Sequence, residues 1–227
     1  MSRESKERFD RIHRHYDFFN HLFSLGVDIG WRKEAANESM IGKKSYDILD
    51  VATGTGDLAM AISRAAKENG KSVKIIGIDF NQHMLDHAKE KVERMGIGNI
   101  RIERGDALEI RFGDSTFDVV TSGFALRNFD DLNRFAREAY RVMKKGGKLV
   151  MLDMSRPDNN LWFMKSYFKL MEAIGSLAGK DAYKWLTQSI LNFDKHKVAG
   201  IFRKQGFSNV KVKELRTGVA FIITGRK

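Results

Sequence analysis

The stretch Ile48-Leu49-Asp50-Val51-Ala52-Thr53-Gly54-Thr55-Gly56-Asp57 decides the fold of this 227-residue chain. A short apolar run passes into a glycine-rich turn, and the apolar residues after it recur at helical spacing. A strand that feeds such a turn and a helix is a general nucleotide-binding device, because glycine lets the backbone approach a ligand and the helix N-terminus offers unpaired N–H groups. The turn lacks the third glycine of G-x-G-x-x-G, since Ala59 stands there, and Asp57 would repel a dinucleotide pyrophosphate.

Strand and helix signals alternate outward from this turn as far as Asp153. Apolar runs predict strands at 48–51, 73–78, 100–103, 117–122 and 148–153, with apolar helical stripes between most of them. We interpret Gly146-Gly147 as the stop of the last of these helices. Alternating residues at 210–215 and 219–223 then predict an antiparallel pair that closes the sheet. The sequence therefore predicts an α/β fold with the seven-stranded Rossmann-like sheet of class I S-adenosylmethionine-dependent methyltransferases.

The chain reads as a single domain with four zones. We expect a helical N-terminal cap at 1–44, a cofactor-binding core at 45–153, a helical substrate-side segment at 154–206 and the closing strands at 207–227. An amphipathic stripe from Phe9 to Phe23 predicts a first helix, and a second is expected to start near Trp31, after Gly26 and Gly30. Pro157, the only proline, marks the break before the substrate-side segment.

Three acidic residues follow successive predicted strands, at the sheet edge where open α/β sheets bind ligands. Asp57, just after the turn, suits the cationic amino group and sulfonium of S-adenosylmethionine. Asp79 closes the second strand, where a carboxylate can accept both ribose hydroxyls, and Asp106 could accept a hydrogen bond from the adenine amino group. For Asp57 and Asp79 the alternative is an ordinary helix N-cap, since both precede helices.

Composition narrows the function classes. The absence of cysteine excludes disulfides, thiolate nucleophiles and cysteine-based metal sites, and no metal-ligand cluster is evident in the sequence. No run approaches 18 uncharged apolar residues and no secretory signal is present, so we expect a cytoplasmic protein. Forty Lys and Arg against 29 Asp and Glu give a net charge of +11. A solvated basic surface is the simplest explanation; contact with an anionic membrane at its inner face and, less favoured, nucleic-acid binding are the alternatives. Lys43-Lys44 and Lys144-Lys145, the densest basic groups, are expected near helix C-termini.

Three further segments carry a family resemblance. The first reads Tyr16-Asp17-Phe18-Phe19-Asn20-His21-Leu22-Phe23-Ser24, with Trp31 at a fixed distance. The second is Gly123-Phe124-Ala125-Leu126-Arg127-Asn128, and the third runs from Arg141 to Ser155. From about Phe9 to its end, the chain resembles the C-methyltransferases of ubiquinone and menaquinone biosynthesis (UbiE/MenG-like). It departs from the family pattern in having Phe19 for Met, Asp28 for His, Ala125 for Gly, Lys145 for Pro and Asp153 for Glu.

The resemblance implies methyl transfer to a ring carbon of a prenylated quinol, either demethylmenaquinol or a demethylated ubiquinol precursor. It implies S-adenosylmethionine contacts at Thr55, Asp79, Asp106-Ala107 and Gly123, where the family often has Ser. With the turn included, the predicted cofactor-binding set is Thr53, Gly54, Thr55, Gly56, Asp57, Asp79, Phe80, Asp106, Ala107 and Gly123. S-adenosylhomocysteine would be the product.

On the substrate side, we predict catalytic roles for Tyr16, Asp17, Arg127 and Asn128, and substrate binding by Asn20 and Phe124. Arg127 would stabilise a developing phenolate, because an arginine pKa above about 12 makes it a poor base. A structural salt bridge is its alternative role. Proton removal could fall to water, to Asp17, or to His13, His15 or His21.

An apolar segment from Leu161 to Leu177 leaves two interpretations open. It could pack against the sheet or a partner in a homodimer, or it could form a Met-containing wall for the prenyl tail. Methylation of another small acceptor, methylation of nucleic acid and cofactor binding without chemistry are the competing functions.

Overall fold

The computed structural model describes residues 27–158, 187–216 and 218–227. The predictions for the first helix, for Tyr16, Asp17 and Asn20, for the three N-terminal histidines and for the Leu161–Leu177 segment lie outside these residues.

The described chain forms one seven-stranded sheet with helices on both faces. Its elements are α1 (Val27–Glu38), β1 (Ser45–Val51), α2 (Asp57–Glu68), β2 (Ser72–Asp79), α3 (Gln82–Arg94), β3 (Ile100–Arg104), β4 (Phe117–Gly123), α4 (Leu132–Val142), β5 (Met143–Met154), α5 (Lys195–Gln205), β6 (Ser208–Glu214) and β7 (Ala220–Arg226), with a 3-10 turn at Leu126–Asn128. The strand order is β3-β2-β1-β4-β5-β7-β6. Strands β1 to β5 run parallel, and β7 pairs antiparallel with both β5 and β6. The predicted fold class, with its closing antiparallel pair, is confirmed.

Successive strand residues bury their side chains on opposite faces of the sheet. In β1, Ile48 packs in the cluster that α1, α2 and α3 cover, whereas Leu49 packs in the cluster under α4 and α5. Phe135 of α4 and Phe202 of α5 meet edge to face in that second cluster, with ring centroids 6.3 Å apart. Because both faces are covered, the carboxyl ends of the parallel strands are the place left for a ligand.

Our interpretation of Gly146-Gly147 as a helix stop is wrong. Helix α4 ends at Val142, and β5 already begins at Met143. The pairing of β4 with β5 shifts here, because Phe117 lies opposite Met143 but Val119 lies opposite Lys148. A Cβ on Gly147 would lie 2.8 Å from the carbonyl oxygen of Lys144. The glycines therefore allow an irregularity within the strand, a use of glycine that resembles a helix stop in sequence.

Two smaller expectations also need correction. Helix α1 begins at Val27 and contains Gly30, so it starts one turn before Trp31. Lys144 lies in β5, and with Lys43 it binds the carboxylate of Asp118 instead of a helix C-terminus. Although burial alone would raise it, hydrogen bonds from the two lysines lower the pKa of Asp118 to about 2. Within the described ranges, no helix combines the length and apolar composition needed to cross a bilayer.

Candidate functional site

A pocket opens at the carboxyl ends of β1 to β4, at the edge that the sequence indicates. Its wall includes nine of the ten residues that we predict to bind the cofactor, namely Thr53, Gly54, Thr55, Asp57, Asp79, Phe80, Asp106, Ala107 and Gly123. Gly56, the tenth, does not line it. Its φ of 83° and a contact distance of 3.4 Å from its would-be Cβ to the Cβ of Ala88 show that it serves the close approach of α2 and α3.

Hydrogen bonds tie the glycine turn to the neighbouring strands. The Thr53 amide donates to the carbonyl of Ile78 at 2.9 Å. The Thr53 hydroxyl donates to Asp50 at 2.6 Å. Gly77 permits this arrangement, because a Cβ there would lie 2.8 Å from the Thr53 hydroxyl oxygen. The turn is thus held before any ligand arrives.

Asp50 is a fully buried carboxyl group beneath the turn. It accepts hydrogen bonds from the hydroxyls of Thr53 in the turn and Thr121 in β4, each at 2.6 Å. Burial raises its pKa, and the two hydroxyl bonds oppose that rise. Asp50 therefore joins β1 and β4 under the pocket, a role that its place in the quoted motif did not reveal.

Asp79 presents a carboxylate held by the backbone. One oxygen accepts from the Gly54 amide and the other from the Asn81 amide, each at 2.9 Å. Burial raises its pKa to about 6, against the lowering effect of these bonds. Each carboxylate oxygen can accept more than one hydrogen bond, so the group can still receive ribose hydroxyls. These two acceptor oxygens fit the ribose hydroxyls of S-adenosylmethionine, which would donate to them.

The helix-cap alternative for Asp57 and Asp79 is wrong. The N-cap of α3 is Asn81, whose side chain accepts from the Met84 amide at 3.2 Å. The N-cap of α2 is Gly56, which has no side chain to cap with. Asp57 instead pairs with Lys91 at 2.9 Å. Neither acid serves as a helix cap, and both residues line the pocket.

The segment after β3 supplies the next part of the wall. Asp106 accepts a hydrogen bond from the Leu108 amide at 2.8 Å, which closes a tight turn around Ala107. Gly105 lets this turn lie against β2, because a Cβ there would be 3.1 Å from the Cβ of Ile78.

The segment after β4 explains two departures from the family pattern. Phe124 takes the left-handed conformation, with φ of 60°, whereas Ala125 has φ of −114°. Alanine therefore replaces glycine at position 125 without backbone strain. At Gly123, a Cβ would lie 3.2 Å from Cδ2 of Leu58, so a serine would require Leu58 to move.

Arg127 and Asn128 lie side by side but point to different surroundings. The Nε of Arg127 pairs with Asp153 at 2.6 Å, and its Nη1 donates to the Ser189 hydroxyl at 3.0 Å. The Arg127 side chain is only 4% exposed and is not part of the described pocket wall. Asn128 does line the pocket, and its Oδ1 is buried without a hydrogen-bond partner among the residues that the structure describes. The salt bridge that we gave as the alternative for Arg127 is present, and it does not exclude a role in catalysis.

Sequence reasoning missed several wall residues. Arg32 of α1, Asn81 and Met84 also line the pocket. The spacing of four residues between Asp28 and Arg32 places both on one helix face, but it does not indicate that this face borders the pocket.

A parallel sheet closed by an antiparallel strand, with acids at or just after the carboxyl ends of β1, β2 and β3, defines an S-adenosylmethionine-dependent methyltransferase of the Rossmann-like class. Solved structures share this fold. A methyltransferase from Aquifex aeolicus is 20% identical, with a TM-score of 0.64 over 86% of this chain and 88% of that one. Phosphoethanolamine N-methyltransferase 2 from Haemonchus contortus, solved with S-adenosyl-L-methionine, is 16% identical, with a TM-score of 0.64 over 87% of this chain and 52% of that one.

The chain belongs to the ubiE/COQ5 methyltransferase family, whose model matches residues 2–227. A demethylmenaquinone methyltransferase from Lactobacillus johnsonii is 37% identical and covers 96% of this chain and 91% of its own. One from Staphylococcus saprophyticus is 39% identical and covers 96% of this chain and 94% of its own. The resemblance inferred from the sequence, and the enzyme class with it, are confirmed.

Proposed function

We propose that this protein transfers a methyl group from S-adenosylmethionine to a ring carbon of demethylmenaquinol. The observation that carries the proposal is that three residues at the end of β4 and just beyond it share one pocket with Asp57 and Asp79, namely Gly123, Phe124 and Asn128. A donor and an acceptor would therefore meet at the end of β4. The names of the full-length relatives favour a naphthoquinol over the ubiquinol precursor as the acceptor.

We assign the ribose hydroxyls to Asp79, the adenine to Asp106 and Ala107, and the amino group to Asp57 with Thr55 beside it. When bound, the cofactor would supply its sulfonium methyl group to the ring carbon. An electron pair of the ring would form the new carbon–carbon bond, and the sulfur would keep the electron pair of the broken sulfur–carbon bond. The hydrogen on that ring carbon would then leave as a proton. The turn already held by Asp50 and Ile78 lowers the entropy lost when the donor is positioned.

Asp153 and Ser189 orient Arg127 for the acceptor. A ring carbon becomes nucleophilic when the adjacent phenol, with a pKa near ~10, gives up its proton. Nε and Nη1 of Arg127 bind Asp153 and Ser189, so Nη2 is the atom that we assign to the developing phenolate oxygen. A fixed positive charge there favours the ionised phenol.

Asn128 offers the second acceptor contact. An unpaired buried oxygen is unfavourable by about 1–3 kcal/mol, and a substrate hydroxyl that donates to Oδ1 would relieve this. Phe124 closes the pocket beside it. Tyr16, Asp17 and Asn20 stay proposed substrate-side residues, and Asp17, the N-terminal histidines and water stay the proposed proton acceptors.

The prenyl tail of such an acceptor resides in a bilayer. We therefore also propose that the basic protein, with its net charge of +11, contacts anionic membrane transiently at the inner face. The wall for the tail and the homodimer stay predictions.

The test is methyl transfer from labelled S-adenosylmethionine to demethylmenaquinol, to the demethylated ubiquinol precursor and to bulk tRNA in separate reactions. Label on the naphthoquinol ring is expected. Label confined to either other acceptor would overturn the proposal.

Variants at position 127 test the mechanism. Arg127→Lys should lower kcat by about 100-fold with little change in cofactor binding, because the planar guanidinium is lost while Asp153 keeps a cationic partner. Arg127→Ala would leave Asp153 buried without a partner, so the lysine variant is the safer measurement. Arg141→Lys is the matched control, since Arg141 pairs with Glu138 and Asp114 away from the pocket. Unchanged turnover in Arg127→Lys would refute the role given to Arg127.

A further inference from the structure

Among the described residues, Arg32 is the only cation in the pocket wall. The other charged residues there are all acidic, namely Asp50, Asp57, Asp79, Asp106 and Asp130. Arg32 reaches the pocket from α1, outside the strand ends that supply the acids, and its side chain is 10% exposed. Arginine is seldom buried without a partner for its charge, so the burial of Arg32 in this pocket has to be explained by the groups that it binds.

Two neighbours hold the Arg32 guanidinium in place. Asp28, one turn earlier in α1, forms an ion pair with its Nη1. The ring of Phe124 lies beneath it, with the guanidinium carbon 5.1 Å from the ring centroid. A guanidinium fixed by an acid at one edge and an aromatic ring at one face is preorganised for a further planar anion.

Asp57 is not that anion. Nη2 of Arg32 lies 3.8 Å from the nearest Asp57 oxygen, which is longer than a hydrogen bond. Asp57 already has a closer cation, since Lys91 binds its other oxygen at 2.9 Å. Arg32 therefore lies next to the proposed amino-group site, but its Nη2 does not form a hydrogen bond with Asp57.

We propose that Arg32 binds the α-carboxylate of the methionine end of S-adenosylmethionine, and that Asp28 holds Arg32 in position. The proposal rests on the methyl donor named above. A carboxylate that enters a pocket with five aspartates needs a cation, and a planar guanidinium can bind it through two hydrogen bonds. The zwitterionic head would then lie with its ammonium at Asp57 and its carboxylate at Arg32.

The ion-pair partner of Arg32, Asp28, is itself a departure from the family pattern. It stands where the family pattern has His, and in α1 it makes the ion pair one turn from Arg32. A carboxylate at this position pairs directly with the Arg32 guanidinium.

The test compares three ligands by calorimetry: S-adenosylmethionine, S-adenosylhomocysteine and decarboxylated S-adenosylmethionine. The wild-type protein, Arg32→Met and Lys148→Met are measured with each. Lys148 is the matched control, because it binds Glu38 of the same helix at 3.0 Å but does not line the pocket. Lys148→Met therefore shows how much ligand affinity is lost when only the anchoring of α1 is weakened and no contact with the ligand is removed.

Arg32→Met should weaken both ligands that carry a carboxylate by about tenfold or more, and the decarboxylated ligand by about twofold or less. Lys148→Met should leave all three affinities within about twofold of the wild type. Equal weakening of all three ligands by Arg32→Met would overturn the proposal and leave the methyl donor intact. Failure of the wild-type protein to bind any of them would overturn the methyl donor itself.

Arg32→Lys covers the case in which Arg32→Met does not fold. It keeps the charge beside Asp28 but loses the planar fork, so only the two carboxylate ligands should weaken. Affinities equal to the wild type for all three ligands would contradict carboxylate binding by the fork.

Discussion

Binding of the cofactor should weaken as the pH falls through 6, because Asp79 must be ionised to accept ribose hydroxyls. Burial raises the pKa of this carboxyl from 3.8 to about 6 in the free protein. Protons and cofactor then compete for the same group, so the apparent Kd scales with the factor 1 + 10^(6 − pH). The factor is close to 1 at pH 8, about 2 at pH 6 and about 11 at pH 5.

Cofactor binding weakens at low pH, and does not strengthen, because the free protein is the state that holds the proton. A raised pKa means that the free folded protein holds a proton below pH 6 that the complex must release. Calorimetric titration with S-adenosylhomocysteine from pH 8 to pH 5 measures the change in Kd. The same titration at pH 6 in buffers of different ionisation enthalpy should reveal release of about half a proton.

Asp79→Asn isolates this group from the other titratable side chains. The variant should bind about 10- to 100-fold more weakly at pH 8, since an amide replaces a charged acceptor, and its Kd should be flat down to pH 5. A wild-type Kd that changes less than about twofold between pH 8 and pH 5 would refute the reasoning. A Kd that rises as steeply with falling pH in Asp79→Asn as in the wild type would also refute it.

Two further predictions concern the sheet and the membrane. Gly147→Ala should lower the free energy of unfolding by about 1–3 kcal/mol in urea titrations, because its Cβ would meet the Lys144 carbonyl at 2.8 Å. Gly42→Ala, whose Cβ meets nothing within 4 Å, is the control, and equal losses would contradict the argument. The net charge of +11 predicts retention on anionic vesicles at low salt, with release at high salt and none on neutral vesicles. Absence of low-salt retention would remove the membrane proposal.

The parallel strands could be predicted from sequence because their centres are short stretches of buried apolar side chains. Ile48-Leu49 in β1 and Val119-Val120 in β4 are fully buried, and such stretches between helical stripes leave few alternatives to a parallel sheet. Gly146-Gly147 could not be resolved in the same way. A glycine pair after an apolar stripe serves a helix end and a strand irregularity equally well, and the shifted pairing of Phe117 and Val119 with β5 identifies the irregularity.

The acids of the candidate site were predictable because sheet topology alone brings successive strand ends to one edge. Arg32 was not, because its place depends on how α1 docks against α2 and β5, which no local pattern specifies. The spacing of Asp28 and Arg32 indicated a shared helix face but not which neighbour that face meets. Asp50 illustrates the opposite difficulty: it lies in the quoted motif, but its partner Thr121 is 71 residues away.

The departures from the family pattern near the pocket are each accommodated by an adjacent group. Ala125 is tolerated because Phe124 takes the positive φ, and Asp28 is tolerated because Arg32 neutralises it. Asp153 is shorter than the Glu of the pattern, but one of its oxygens binds both the Nε of Arg127 at 2.6 Å and the Met154 amide at 2.7 Å. Because the aspartate side chain is one methylene shorter than that of glutamate, the Arg127 guanidinium that binds it is held close to β5, where the Arg127 side chain is only 4% exposed.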